Sequence, residues 1–203
     1  MIWFISDEHY GHRNIIRYTG RPFNLVQEMD CTILGHCVRQ FQQNDLVWHL
    51  GDFAFPAGRY HKPDGCSVAF WARAQMARLI ARMPGTHCIV RGGHDRGAEA
   101  LRACGFAVAV EEAVVNLDGR RILLRHTPLY GPLPAGIAGV FHGHIHQGFR
   151  ADLVAAGEQP DVPKWNVNLC VEKTAYGPIS YKAALGRLAA QMKGTQCQPR
   201  TKD

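Results

Sequence analysis

The sequence predicts a layered α/β fold in a single domain, and three observations carry that expectation. Short apolar runs alternate with amphipathic stretches along the chain. Four of the apolar runs end directly in clusters of Asp, His and Gly, as expected of strands whose carboxyl ends border a ligand crevice. The chain has 203 residues, 46% hydrophobic and 20% charged, enough for one well-formed core of ordinary globular composition.

The elements follow in order. Strands are predicted over Ile2–Ser6, Asp45–Leu50, His87–Val90, Val108–Val115, Arg121–Arg125, Gly139–His142 and Asn166–Val171. Helices are predicted over Gln27–Gln42 and Val68–Met83, the second stopped by Met83-Pro84-Gly85. A shorter helix over Ala98–Cys104 stops at Gly105, and an amphipathic one over Tyr181–Met192 closes the domain at about residue 193. Asn116-Leu117-Asp118-Gly119 reads as a hairpin turn with Asp118-Gly119 at its tip. Two long connections, Phe53–Ser67 and Gly148–Lys164, each follow a motif described below, where loops shape substrates. The polar tail 194–203 is expected to be disordered.

No apolar run approaches the roughly 20 residues of a bilayer span, so no membrane partner is expected. The opening Met1–Asp7 lacks a positive n-region and reads as a strand rather than a secretory signal. Seven cysteines without a CxxC pair point to reduced thiols in a cytoplasmic protein, with Cys88 and Cys170 as small apolar fillers. A formal charge of +6 and a pI near 9.1 suit an anionic partner such as phosphate or nucleic acid.

The chemistry is concentrated after the strands. Asp7 and His9 follow the first, Gly51-Asp52 the second, and Arg91-Gly92-Gly93-His94-Asp95 the third; His126 follows Arg121–Arg125, and Gly143-His144-Ile145-His146 follows Gly139–His142. Residues two apart in extended chain point to one side, so Asp7/His9 and His144/His146 can each serve one ion or divide between two. Carboxylate and imidazole donors without thiolate suit Mn, Fe, Zn, Co or Ni and do not resemble a structural zinc site. Six candidate ligands, Asp7, His9, Asp52, His126, His144 and His146, exceed one tetrahedral ion and match two ions sharing a carboxylate.

This ordered set, Asp7-Glu8-His9, Gly51-Asp52, Gly92-Gly93-His94-Asp95, His126 and Gly143-His144-Ile145-His146, resembles the signature of calcineurin-like metallophosphoesterases. The opening Ser6–Ile16 is similar to a small bacterial and phage branch. The resemblance implies an α/β/β/α sandwich, two mixed sheets flanked by helices, and phosphoester hydrolysis by a hydroxide bridging two divalent ions. By resemblance, Asp7, His9, Asp52 and His146 hold the first metal, with Asp52 bridging, while His126 and His144 serve the second. His94 would face the scissile phosphate and Asp95 would orient its ring. His12 and Arg91 are candidates for substrate phosphate, against a helix-start or surface role for His12 and a carboxylate pair for Arg91.

The pattern breaks at Gly93, where the family carries an asparagine whose side-chain oxygen ligates the second metal. Three explanations stand: a natural variant completed by water, a degenerate protein, or a deliberate Asn-to-Gly substitution. The substrate expected is a phosphoester, with diesters slightly ahead of monoesters because a small, basic domain without obvious caps suits a nucleotide or nucleic-acid diester. A catalytically impaired scaffold on the same fold is the alternative, and a one-metal enzyme a third; protein partners are left open. His49 and His142 read as packed histidines, and Trp48, Trp71 and Trp165 as core.

Overall fold

The computed structural model describes residues 1–55, 68–146 and 162–193, with the side chains of 68–71 left aside. The tail, Trp71, Cys66, Cys197 and most of the two long loops lie outside the described residues. Strand β1 (Ile2–Ile5) is followed by α1 (Arg13–Thr19), α2 (Val26–Gln40), β2 (Leu46–His49), α3 (Val68–Arg82), β3 (Thr86–Val90) and α4 (Ala98–Arg102). Then come β4 (Val108–Val110), β5 (Glu112–Leu117), β6 (Arg120–Arg125), β7 (Gly139–His142), β8 (Asn166–Asn168), a 3₁₀ turn (Val171–Lys173), β9 (Ile179–Ser180) and α5 (Tyr181–Lys193).

Two mixed sheets, flanked by helices, result. The first has the order β4-β3-β2-β1-β9, parallel except for β9; the second has the order β5-β6-β7-β8, with an antiparallel hairpin followed by parallel pairs. Strand alternation divides the core in two. Ile5, Val47 and Ile89 face α1–α4 and pack with Ile15, Met29, Ile33, Met76 and Leu101. Their neighbours Phe4, Trp48, Cys88 and Val90 face the second sheet and pack with Leu117, Ile122, Leu124, Phe141 and Val167. Helix α5 adds Ala184, Leu185 and Leu188 to this inter-sheet core. Helix α2 buries Val26, Met29, Ile33, Leu34 and Cys37, the 3.6-residue stripe that its sequence carries.

The structure corrects several boundaries. The single strand expected over Val108–Val115 is two, interrupted at Glu111: β4 pairs with β3 in one sheet and β5 with β6 in the other. The β-branched residues on either side of Glu111-Glu112 read as one run, although the two halves pair in different sheets. Helix α1 was not predicted, although Gly20, at φ +64, caps it in the left-handed conformation and Pro22 follows. The strand expected over Asn166–Val171 ends at Asn168, and Cys170 then makes an isolated parallel bridge to Ser6, which joins the sheets. The hairpin tip is Asp118-Gly119, with φ +49 and +78, as a two-residue turn requires. No helix among the described residues is long and apolar enough to cross a membrane.

Candidate metal centre

The carboxyl ends of β1, β2 and β3 meet those of β6 and β7, so the motif residues of both sheets share one crevice. Main-chain bonds fix the approach: Asp7 N donates to Gly51 O (3.0 Å), His9 N to Asp52 O (3.0 Å) and Gly143 N to His126 O (2.9 Å). The motif glycines are needed for contact. A Cβ on Gly143 would stand 1.9 Å from Ser6 Oγ, and one on Gly92 would stand 2.2 Å from Asp52 Oδ1. Asp7, His9, Asp52 and His144 hold φ between +51 and +69. Each such residue costs about 1–3 kcal/mol, strain that the surrounding fold sustains and that gathers at functional sites.

The side chains form two adjoining sets. In the deeper one, His146 Nε2 lies 3.4 Å and His9 Nε2 4.0 Å from Asp7 Oδ1, and His9 Nε2 lies 3.6 Å from Asp52 Oδ2. In the outer one, His126 Nε2 lies 3.4 Å from Asp52 Oδ2 and 3.2 Å from His144 Nδ1. Asp52 Oδ2 therefore stands between the sets. Atoms held by one ion at about 2.0–2.2 Å lie about 3–4 Å apart, so both sets have cation dimensions.

The hydrogen bonds test whether an ion fits. Asp7 Oδ2 accepts from Ser6 Oγ (2.5 Å), His144 N (2.9 Å) and Cys170 Sγ (3.1 Å). Its Oδ1 has no hydrogen-bond partner among the described residues despite complete burial, and neither has His9 Nε2. Leaving two buried polar atoms unpaired is costly unless a cation occupies the gap between them. Imidazole orientation agrees. His126 Nδ1 lies 2.8 Å from Leu50 O, and His146 Nδ1 lies 2.9 Å from Glu172 Oε1. Those acceptors hold the proton on Nδ1, which turns each Nε2 toward the gap.

Charge follows this arrangement. Burial opposes ionisation of Asp52, but the hydrogen bond and charge of His126 outweigh it and hold the carboxyl well below its usual range. Burial also opposes protonation of His126, yet Asp52 and Asp7 raise it to about 9. For Glu172, burial is again outweighed, by His146 and Arg21, and its pKa falls to about 2.

Several supporting residues carry no sequence signal. Arg21, buried, donates to Asp7 O (2.7 Å), Glu8 O (3.0 Å) and Glu172 Oε1 (2.8 Å), tying the first motif to the partner of His146. Glu172 is brought in only by the path of the chain after β8. Cys170 is buried as expected, but its thiol contacts Asp7 rather than serving as filler. Glu8 Oε1 lies 2.5 Å from His49 Nδ1, His49 Nε2 lies 3.0 Å from His87 Nδ1, and His87 Nε2 lies 3.2 Å from Met83 O. Since the Met83 carbonyl can only accept, each imidazole donates through Nε2, and with His49 neutral its Nδ1 accepts from a protonated Glu8. Burial, which raises Glu8 and lowers His49 to about 3, agrees. His49 and His142 are both buried, as expected of packed histidines.

The remaining sequence candidates are placed as follows. His94 is half-exposed above Asp52, with its N–H 2.9 Å from Asp52 Oδ1 and its Nε2 4.0 Å from Oδ2. Asp95, expected to orient the His94 ring, instead accepts main-chain N–H groups from Asp52 (2.8 Å), Phe53 (3.0 Å) and Gly92 (2.8 Å). One amide of its own loop and two of the loop after β2 take up both oxygens of the carboxylate. His12 lies beside His9, their Nδ1 atoms 3.4 Å apart. Arg91 makes an ion pair with Glu111 and donates to Arg96 O at 2.9 Å, the carboxylate-pair alternative. Gly93 is open: a Cβ there would meet nothing within 4 Å, and it borders a cavity of about 390 Å³ with Gly92, Glu112, Arg125 and His126.

Comparison with known proteins adds the following. No family model matches the chain. Over 180 residues it is 29% identical to an uncharacterised protein of Methanocaldococcus jannaschii, covering 88% of this chain and 86% of that one. The fold is similar to that of a protein of unknown function from Aquifex aeolicus, with TM-score 0.64 and 25% identity over 92% of this chain and 98% of that chain. A phosphoesterase from E. coli matches more loosely, with TM-score 0.37 and 21% identity over 83% of this chain and 77% of that chain. The Aquifex likeness supports the two-sheet fold; the chemistry is read from the crevice.

Proposed function

We propose that the chain is a metal-dependent phosphoester hydrolase with two cation positions, Asp7, His9, Asp52 and His146 around one and Asp52, His126 and His144 around the other. The observation that carries this is the pair of buried, partnerless atoms Asp7 Oδ1 and His9 Nε2, turned toward Asp52 Oδ2 and His146 Nε2. The nitrogen and oxygen donors favour Mn, Fe, Zn, Co or Ni. Bound ions of this kind supply Lewis acidity and an ionised water at neutral pH.

The chain's own residues account for the remaining work. Glu172 and Leu50 O fix the imidazoles of His146 and His126, and Arg21 and Ser6 fix the Asp7 loop. His94, exposed on the open side, donates a proton from Nε2 to the leaving oxygen, while its main-chain N–H orients Asp52. Asp95 holds the His94 loop against the Asp52 loop rather than touching the ring. Substrate reaches the crevice past Gly93, His94 and His144. Diesters are placed ahead of monoesters, because the chain is basic and this side is uncapped among the described residues.

The test is hydrolysis of bis(4-nitrophenyl) phosphate and of 4-nitrophenyl phosphate with Mn²⁺, for this chain and its Gly93→Asn form. The expected result is diester turnover abolished by chelator. If neither form hydrolyses either ester with any of the five metals, the proposal fails and a scaffold role takes its place. The missing Gly93 side chain favours one specific variant of the proposal, a one-ion enzyme. Metal titration separates the two, since that variant reaches full activity at one ion per chain.

A further inference from the structure

An aromatic and basic strip leads away from the crevice beside His94. The ring of Phe55 lies 5.6 Å from that of His94 and 4.7 Å from that of His12. His12 in turn lies 6.3 Å from Tyr18 on α1, and the Arg17 guanidinium stands 5.5 Å over the Tyr18 ring. Phe55 is 37% exposed and Tyr18 45% exposed. Arg13 and Arg17, both exposed, border a neighbouring cavity of about 320 Å³ on the same helix. Beyond those ring contacts, both rings keep much of their surface open to solvent at the rim of a crevice full of charged groups. Flat apolar faces with cations beside them suit a ligand that is itself flat, aromatic and anionic.

We infer that this strip binds the nucleobase of a phosphodiester whose phosphate lies against His94, with Phe55 as the stacking face and Arg13 and Arg17 attracting the flanking phosphate or phosphates. The inference rests on the proposed reaction and sharpens it from phosphoester to nucleobase-bearing phosphodiester. Stacking on an aromatic face tolerates every base, so no preference among bases is expected, and the arginines should make binding salt-dependent.

The test compares two esters with the same leaving group, thymidine 5′-(4-nitrophenyl phosphate) and methyl 4-nitrophenyl phosphate, in the full chain with Mn²⁺. The thymidine ester should be preferred roughly tenfold or more in kcat/KM. That ratio should fall toward one in Phe55→Ala and be retained in Phe55→Trp. Equal kcat/KM for the two esters, or a ratio unchanged by Phe55→Ala, overturns the inference. If neither ester turns over, the proposed reaction has failed, and binding still decides about the strip. Calorimetry with thymidine 5′-monophosphate against methyl phosphate should then show tighter nucleotide binding that is lost in Phe55→Ala; equal affinities overturn it. Competition by a ten-residue oligothymidylate distinguishes the source. Inhibition tighter than that of thymidine 5′-monophosphate identifies a strand, and equal inhibition a free nucleotide.

Discussion

The two halves of the crevice are built from the same residue types and supported very differently. Asp7, His9 and His146, the candidate ligands of one half, are buried, and two of them are tied to further residues: Ser6 and Cys170 hold Asp7, Glu172 holds His146, and Arg21 braces both. Around His126 and His144 the side-chain support among the described residues is slighter: the Leu50 carbonyl and shared Asp52 hold the His126 ring, His144 is anchored through its main-chain N–H on Asp7 but is exposed, and the position at Gly93 opens into a cavity. A ligand held in place before the ion arrives loses little freedom on binding it. The deeper position should therefore fill first and tightly, the outer one later and weakly.

The strongest way to break this comparison is Asp52→Asn, since Asp52 serves both halves. It should lower diester turnover by at least about 10³-fold and abolish binding of the outer ion, as read by kinetics and metal titration. A mutant retaining two-ion stoichiometry would place the shared carboxylate elsewhere. Glu172→Gln should reach only the deeper half, weakening its ion by about 10–100-fold, and should lower the thermal midpoint of the metal-free protein because buried Arg21 loses its carboxylate. Gly93→Asn should act in the opposite sense on the outer half. The open space at that Cβ admits the side chain, and outer-ion affinity should rise by about tenfold or more by calorimetry.

The pH dependence sharpens the contrast further. In the metal-free protein His126 titrates at about 9, above its ordinary value, because Asp52 and Asp7 favour its charged form over the opposing effect of burial. Its folded value being raised, the stability it contributes is complete below about 6.5 and is lost as pH rises through about 9. Thermal midpoints of the metal-free chain should therefore decline across that window, and less so in His126→Gln. The outer ion has to displace that proton, so calorimetry in buffers of different ionisation enthalpy should detect its release at pH 7. The smallest effect expected is that of Glu8→Gln. An amide N–H can replace the carboxylic acid as donor to His49, so stability should change little, whereas Glu8→Ala leaves His49 Nδ1 unpaired and should cost about 1–3 kcal/mol in denaturant unfolding.

Much of the fold was legible because its signals are local. Continuous apolar runs, as expected of strands buried on both faces, marked β1, β2, β3, β6 and β7, and the 3.6-residue stripe marked α2 and α5 within a few residues of their ends. Failures came where neighbouring elements share a pattern. Val108–Val115 reads as one β-rich run broken only by Glu111-Glu112, although the chain there leaves one sheet for the other. Helix α1 is only seven residues long, too short for its periodicity to stand out, so its capping glycine was the better signal.

The candidate site divides along the same line. Which residues are candidates for metal chemistry was legible in the sequence alone, since Asp, His and Gly gathered immediately after apolar runs are delivered to strand ends, and parallel strands bring those ends together. Even the glycines beside the ligands belong to that message, because a side chain at position 92 or 143 would collide with the ligand it adjoins. The supports are another matter. Arg21, Cys170 and Glu172 act across 14, 163 and 26 positions on Asp7 and His146, and Glu8 is made a proton donor by histidines 41 and 79 positions away. Only tertiary structure decided those partnerships, for a physical reason: orienting a ligand requires an atom within hydrogen-bonding distance in space, and closeness in space is a property of the packed chain.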